Sequence, residues 1–251
     1  IMRRRQRQMC IRDRGMTAKQ MKRRKPISQD YMLPIEPLTD NQKVMFDAWD
    51  EGKMIYAYGV AGTGKTFVAL YKALKEVLDD YSPYEKIYIV RSLVATREIG
   101  FLPGDHEDKS SLYQIPYKNM VQAMFEMPDD NSYEMLYDNL KAQETISFWS
   151  TSFIRGTTLD NSIVIIDECQ NLNFHELDSI ITRVGQDSKI IFCGDAAQTD
   201  LQKISERTGI IDFQRILQNM EEFSMIEFGI EDIVRSGLVK SYLINKINLG
   251  L

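Results

Sequence analysis

Cysteine and histidine are scarce in this chain, with three of the first and two of the second among 251 residues. Cys10, Cys169 and Cys193 fall at no metal-ligand spacing, and both histidines stand alone. That excludes a disulfide scaffold and a zinc module; Cys169 and Cys193 are expected as buried structural thiols. Long apolar runs are missing too. No stretch approaches the ~20 uncharged apolar residues of a membrane span, and no apolar segment follows the basic N-terminus as a secretion signal requires. The expected setting is therefore the reducing cytoplasm, with no membrane partner. There is no internal repeat and no linker long enough to mark a second large domain. With 43% apolar and 27% charged residues, the chain reads as one globular domain with short appendages.

Charge is unevenly spread. Residues 1–25 hold eleven Lys/Arg against the single acid Asp13, whereas residues 26–251 hold 20 bases against 35 acids. A net-acidic body does not attract nucleic acid in general, so any such binding must use a local patch or groove. Residues 1–35 are expected to be a basic, disordered tail, because "RRRQRQMCIRDRG" has no apolar periodicity. Within it, "RQRQMCIRDR" resembles the peptide obtained when sequencing-adapter DNA is translated, so residues 1–15 are expected to be non-native, with Met16 as the natural start. "KQMKRRKP" (19–26) remains as a short basic arm.

From Leu38 the pattern becomes regular. Thr39 or Asp40 caps a helix with Val44, Met45, Ala48 and Trp49 at helical spacing. Short β-rich runs follow at 54–58, 86–91, 146–150, 162–167, 189–195 and 224–228. Helical segments are expected near 117–127, 132–142, 174–184 and 209–221, besides the one that begins at Lys65. Near-continuous apolar strands alternating with helices predict an α/β fold, a doubly wound parallel sheet covered on both faces.

One stretch carries chemistry at once. Gly59-Val60-Ala61-Gly62-Thr63-Gly64-Lys65-Thr66 fills every fixed position of G-x-x-x-x-G-K-[ST], with a strand before and a helix after. The glycines let successive backbone N–H groups turn toward phosphates, and the helix N-terminus adds partial positive charge. Lys65 is expected to reach the β- and γ-phosphates of ATP, and the Thr66 hydroxyl to ligate Mg²⁺. The partner carboxylate is in "SIVIIDECQN", where Asp167-Glu168 ends a buried strand at the edge where open α/β sheets bind ligands. Asp167 is placed to hold Mg²⁺ through water, and Glu168 to orient and deprotonate the attacking water. "KIIFCGDAAQTDL" repeats this layout; its Gln198 can touch both γ-phosphate and water and so report hydrolysis to whatever is bound alongside.

Six blocks in one order, "LTDNQ", "GVAGTGKT", "GFLPGD", "FIRGTTLDNSIVIIDECQN", "KIIFCGDAAQTDL" and "EDIVRSGLV", resemble the PhoH family of ATPases over about residues 36–245. That family's domain is similar to the first motor domain of superfamily 1 helicases, so the resemblance implies a RecA-like, helicase-like P-loop NTPase domain over 36–251. It implies that Gln42 reads adenine with both amide groups, favouring ATP over GTP, and that Arg235 meets the γ-phosphate. It also implies that Arg155 and Gly156 shape a substrate-facing turn. The chain departs from the family in two places. Arg91-Ser92 stands where Arg-Pro is usual, ahead of a shorter segment, and "HEDKSSLYQIPYKNM" lacks an arginine that relatives often carry.

Three functions remain at this point. The first is an ATPase coupled to movement on, or remodelling of, single-stranded RNA or DNA. The second is an ATP-controlled switch that grips a protein partner and releases it on hydrolysis. A small-molecule kinase is third, set back by the hydrolytic Asp-Glu-Gln set and the lack of an Arg-rich lid. Because translocation usually needs two motor domains closing on one ATP, a homo-oligomer is expected, a hexamer by analogy with ring ATPases.

Overall fold

The computed structural model describes residues 27–91, 106–154, 156–195 and 204–249. Six strands, β1 (Met54–Gly59), β2 (Lys86–Arg91), β3 (Ile146–Ser150), β4 (Ser162–Asp167), β5 (Lys189–Cys193) and β6 (Phe223–Phe228), form one sheet in the order β3-β2-β4-β5-β1-β6. Every pairing is parallel. Eight helices among the described residues accompany the sheet: α1 (Asp40–Asp50), α2 (Lys65–Val77), α3 (His106–Met124), α4 (Asp130–Ala142), α5 (Thr151–Ile154), α6 (Phe174–Ile181), α7 (Ile204–Gln218) and α8 (Gly237–Asn248). Of these, α2–α7 supply the crossovers that parallel neighbours need. This is the doubly wound α/β fold expected from the sequence.

Period-two alternation sorts each strand between two cores. Ile163 and Ile165 of β4 pack with Ile55, Ile87 and Ile191 under α1–α4, while Val164 and Ile166 pack with Tyr56, Ile190 and Phe192 under α5–α7. All six residues of β4 are buried, which is why the run reads as continuously apolar. Strand β5 lies between β1 and β4, so the phosphate loop that follows β1 and the carboxylates that end β4 face each other across the tip of β5. Among the described residues no helix is long and apolar enough to cross a membrane.

Four expectations need correction. The disordered tail was expected to reach residue 35, yet residues 27–35 form a strap on the domain. Ile27 is buried, Leu33 N–H donates to Met124 O at 2.8 Å, and the Tyr71 hydroxyl both donates to Leu33 O and accepts from Ile35 N–H. The helix expected near 117 begins at His106 and runs through Pro116. Proline lacks an N–H and usually ends a helix, which is what hid the earlier turns. Likewise α7 begins at Ile204 rather than 209, and β5 ends at Cys193 rather than 195.

Far from the loop, at the opposite end of β5, a buried lysine offers a pH test. Lys189 is 3% exposed; its Nζ donates to Trp49 O and Lys53 O beyond α1 and sits 4.8 Å from the centre of the Trp49 ring. Burial lowers its pKa to about 8. With the folded value below the unfolded one, the unfolded chain holds more protons between about pH 8 and 10.5, so stability rises with pH across that window. Thermal melts should show the wild type gaining on Lys189→Met from pH 8 to 10, by at most about 3 kcal/mol.

Candidate nucleotide site

A cleft of about 530 Å³ opens at the carboxyl ends of the strands, lined by the loop residues 61–66, Gln42, Arg91, Asp167, Glu168 and Arg235 among others. Its loop is shaped by the glycines. Gly59 has φ +117° where β1 meets β6, and a Cβ there would lie 2.2 Å from Phe228 O. Gly62 has φ +75°, and a Cβ there would lie 2.8 Å from Cγ of Arg235. A side chain at Gly59 would have to move backbone, and one at Gly62 would be strained at that φ and would displace the Arg235 side chain. Thr63 is fully buried and donates to Val60 O at 3.0 Å, which pins the turn.

Lys65 opens α2 and is 8% exposed. Its Nζ donates to Val60 O at 2.7 Å, to Gly59 O at 3.3 Å and to Thr63 Oγ1 at 3.2 Å. Burial lowers its pKa, against the pull of Cys193, Asp195, Glu168 and Asp167. Beside it the Thr66 hydroxyl donates to Asp167 Oδ1 at 2.7 Å. The two motifs, a hundred residues apart in sequence, thus meet in one hydrogen bond.

Glu168 stands in the left-handed region at φ 52°, ψ 42°, a conformation uncommon for a residue with a side chain. Burial, and next the charge of Asp167, raise its pKa. Gln170 holds it: its Nε2 donates to Glu168 Oε2 at 2.5 Å, and its Oε1 accepts from Asp195 N–H at 2.9 Å. One buried amide therefore ties the candidate base to the tip of β5. Gly194 leaves room for this link, since a Cβ there would meet Gln170 Oε1 at 3.0 Å and Cys169 Sγ at 2.6 Å. Cys169 and Cys193 are buried, as expected of structural thiols.

Gln42 is 4% exposed and spans two backbones, with Oε1 accepting from Leu38 N–H at 2.8 Å and Nε2 donating to Thr63 O at 2.9 Å. Arg235 is exposed and lies across Gly62. The segment carrying it is anchored by Asp232, which accepts from Asn41 Nδ2 at 2.7 Å and from Gly229 N–H at 2.9 Å. Burial would raise the Asp232 pKa, but these donors and Thr39 outweigh it and hold the carboxyl below its usual range. Val234 N–H donates to Gly62 O at 3.1 Å, so the loop and the Arg235 segment are joined directly.

The structure thus brings Gln42, residues 59–66, Asp167, Glu168 and Arg235 to one cleft. Gln198, Arg155 and the "GFLPGD" block at 100–105 lie outside the described residues. Sequence reasoning gave no role to Gln170, Asn41, Asp232, Arg91 or Tyr117. Arg91 ends β2 in register with Asp167. Its charge is disfavoured by burial but held above its ordinary pKa by Tyr117, Asp167 and Glu168. Gln170 lies within the quoted motif, and its distance from the strand end was the available signal.

Residues 34–245 match the PhoH-like protein family. The chain is 32% identical over 206 residues to a PhoH-like protein of Mycobacterium leprae (strain TN), covering 82% of this chain and 56% of that one. It is 32% identical over 210 residues to a PhoH-like protein of Bacillus subtilis (strain 168), covering 80% and 60%. To protein PhoH of Escherichia coli (strain K12) it is 29% identical over 212 residues, covering 84% and 57%. The chain spans somewhat over half the length of these relatives. Among solved structures it is similar to the large terminase of a thermophilic bacteriophage, with TM-score 0.47 and 11% identity over 82% of this chain and 50% of that one. It is also similar to Bacteroides Pif1 bound to single-stranded DNA, with TM-score 0.36 and 14% identity over 85% and 46%. The chain belongs to the PhoH-like protein family, as its six blocks had implied.

Proposed function

We propose that this PhoH-like chain binds ATP with Mg²⁺, hydrolyses it, and couples the cycle to remodelling of single-stranded RNA or DNA. The hydrolytic part rests on the 2.7 Å bond between Thr66 and Asp167, with Glu168 on the same sheet edge. Thr66 Oγ1 and Asp167 Oδ1 are hard oxygen donors of the kind Mg²⁺ takes alongside water and phosphate oxygens, so the residues present fit the ion. When bound, Mg²⁺ would neutralise charge on the β- and γ-phosphates. Lys65 moves from its loop carbonyls to the phosphates, Arg235 reaches the γ-phosphate from across Gly62, and Glu168 takes a proton from the attacking water. Gln198 completes the set in this reading as the group that senses the γ-phosphate.

For adenine the proposed reader is Gln42. Each end of its amide already has one partner, and a second N–H and a second lone pair remain for the base. Gln42→Ala should raise KM for ATP roughly tenfold, about one hydrogen bond's worth, and shrink the ATP/GTP ratio in steady-state assays. Equal use of ATP and GTP by the wild type would contradict this role.

The cycle also needs a second body to move against. We propose a homo-oligomer, a hexamer by analogy with ring ATPases. Helix α8 follows Arg235 directly and exposes Leu238, Val239 and Tyr242, an apolar surface beside the site for a neighbouring copy. The second reading, an ATP-controlled switch on a protein partner in the cytoplasm, is favoured by the acidic balance of residues 26–251. Turnover measured with and without poly-U or single-stranded DNA separates the two. Stimulation by either polymer supports remodelling; unchanged turnover, with a monomer in light scattering under ATP and Mg²⁺, supports the switch.

A further inference from the structure

We propose that Tyr117 is a positioning residue for the metal-holding carboxylate, fixing the rotation of Asp167 so that Oδ1 faces Thr66 and the ion. This rests on reading the cleft as a Mg²⁺-nucleotide site. Tyr117 comes from α3, outside every motif that marks the site. Its hydroxyl donates to Asp167 Oδ2 at 2.6 Å, while the Thr66 hydroxyl donates to Oδ1 at 2.7 Å. The terminal torsion of an aspartate is normally broad. Gripped by one donor on each oxygen, it is confined to a single orientation.

The phenol is itself held in place. It is 2% exposed, and its ring packs against Phe148 with centroids 5.4 Å apart. The charge of Arg91, at the end of β2, acts on the same hydroxyl. A carboxylate only accepts, so the one proton of the hydroxyl is committed to Asp167. In this arrangement Tyr117 carries the position of α3 to the metal oxygen, and a carboxylate freed from it would spend part of its time turned away from Thr66.

A purely structural tyrosine would affect folding and leave metal binding alone, and this difference makes the test. Mn²⁺ serves as the probe: free Mn²⁺ is followed by electron paramagnetic resonance as the full chain is titrated with ADP present. Tyr117→Phe keeps the ring and removes only the hydroxyl. Tyr137→Phe is the matched control, since the Tyr137 hydroxyl on α4 is buried without a partner among the described residues. The expected result is Mn²⁺·ADP binding about 3–10-fold weaker in Tyr117→Phe than in the wild type and Tyr137→Phe, with ADP affinity in EDTA unchanged. Equal Mn²⁺ affinity in Tyr117→Phe and wild type would overturn the positioning role and leave the site reading standing. Loss of ADP affinity in EDTA would overturn it too, by showing general damage to the cleft. A wild type that binds no Mn²⁺·ADP would overturn both readings.

Discussion

Glu168→Gln should bind ATP about as tightly as the wild type and turn it over at least ~10²-fold more slowly, the usual cost of removing a general base. The substitution is nearly isosteric. The new amide oxygen can still accept from Gln170 Nε2, so the link through Gln170 to Asp195 N–H survives. What is lost is the ability to take a proton. Burial and the neighbouring Asp167 raise the Glu168 pKa above its ordinary value, which brings a carboxylate closer to the range where a base works best near neutral pH. The sign for stability follows. With the folded pKa above the unfolded one, the folded chain binds more protons in that interval, so ionising Glu168 costs stability as pH rises through it. Glu168→Gln should therefore melt at or above the wild-type temperature at pH 7. Wild-type turnover should fall on the acid side with an apparent pKa above 4.5, and the residual rate of the variant should lack that limb. Nucleotide binding by fluorescence, turnover by phosphate release and a thermal melt test the three parts separately. Normal turnover in the variant would remove Glu168 from the mechanism.

How legible this was differs from residue to residue. Strand β4 could be read because burial on both faces demands an unbroken apolar run, and its carboxyl-end acids follow from the topology. The phosphate loop could be read because its glycines meet backbone requirements that no other residue meets, as Gly59 against Phe228 O shows. Tyr117 was hidden because its role depends on where α3 crosses the sheet, and no local periodicity encodes that. Pro116 also hid the turns of α3 that precede it. The strap at 27–35 was hidden because its backbone hydrogen bonds, to Tyr71 and to Met124 O, and its packed Ile27, Met32 and Ile35 follow no helical or strand periodicity. Asn41 and Asp232 meet across the fold at 2.7 Å, a contact between two ordinary polar residues that spacing does not reveal.

Lys65→Ala should lower kcat/KM for ATP by ~10²–10³-fold, the scale seen when one preorganised donor to developing charge is removed. Before ATP arrives, Lys65 is bound to its own loop. Its ammonium rests on Val60 O, Gly59 O and Thr63 Oγ1, partners that water in the open cleft can replace. The loop itself is held by other means: the positive φ angles of Gly59, Gly62 and Gly64, the Thr63 bond to Val60 O, and the bond from Val60 N–H to Phe228 O. Removing the lysine should thus leave the loop in place and cost the ligand-free chain little stability. Burial already lowers the pKa of Lys65, so the folded chain bears a desolvation cost for that charge, which its loss relieves. With ATP present the balance reverses. The phosphates bring negative charge into a cleft that already holds Asp167 and Glu168, and Lys65 is the buried cation of the loop placed to meet it. The expected pattern is an unchanged melt without nucleotide, little thermal shift on adding ATP and Mg²⁺, and strongly reduced turnover. A variant that unfolds without nucleotide would make Lys65 a structural residue of the loop, and one with wild-type thermal shift and turnover would move the phosphate site elsewhere.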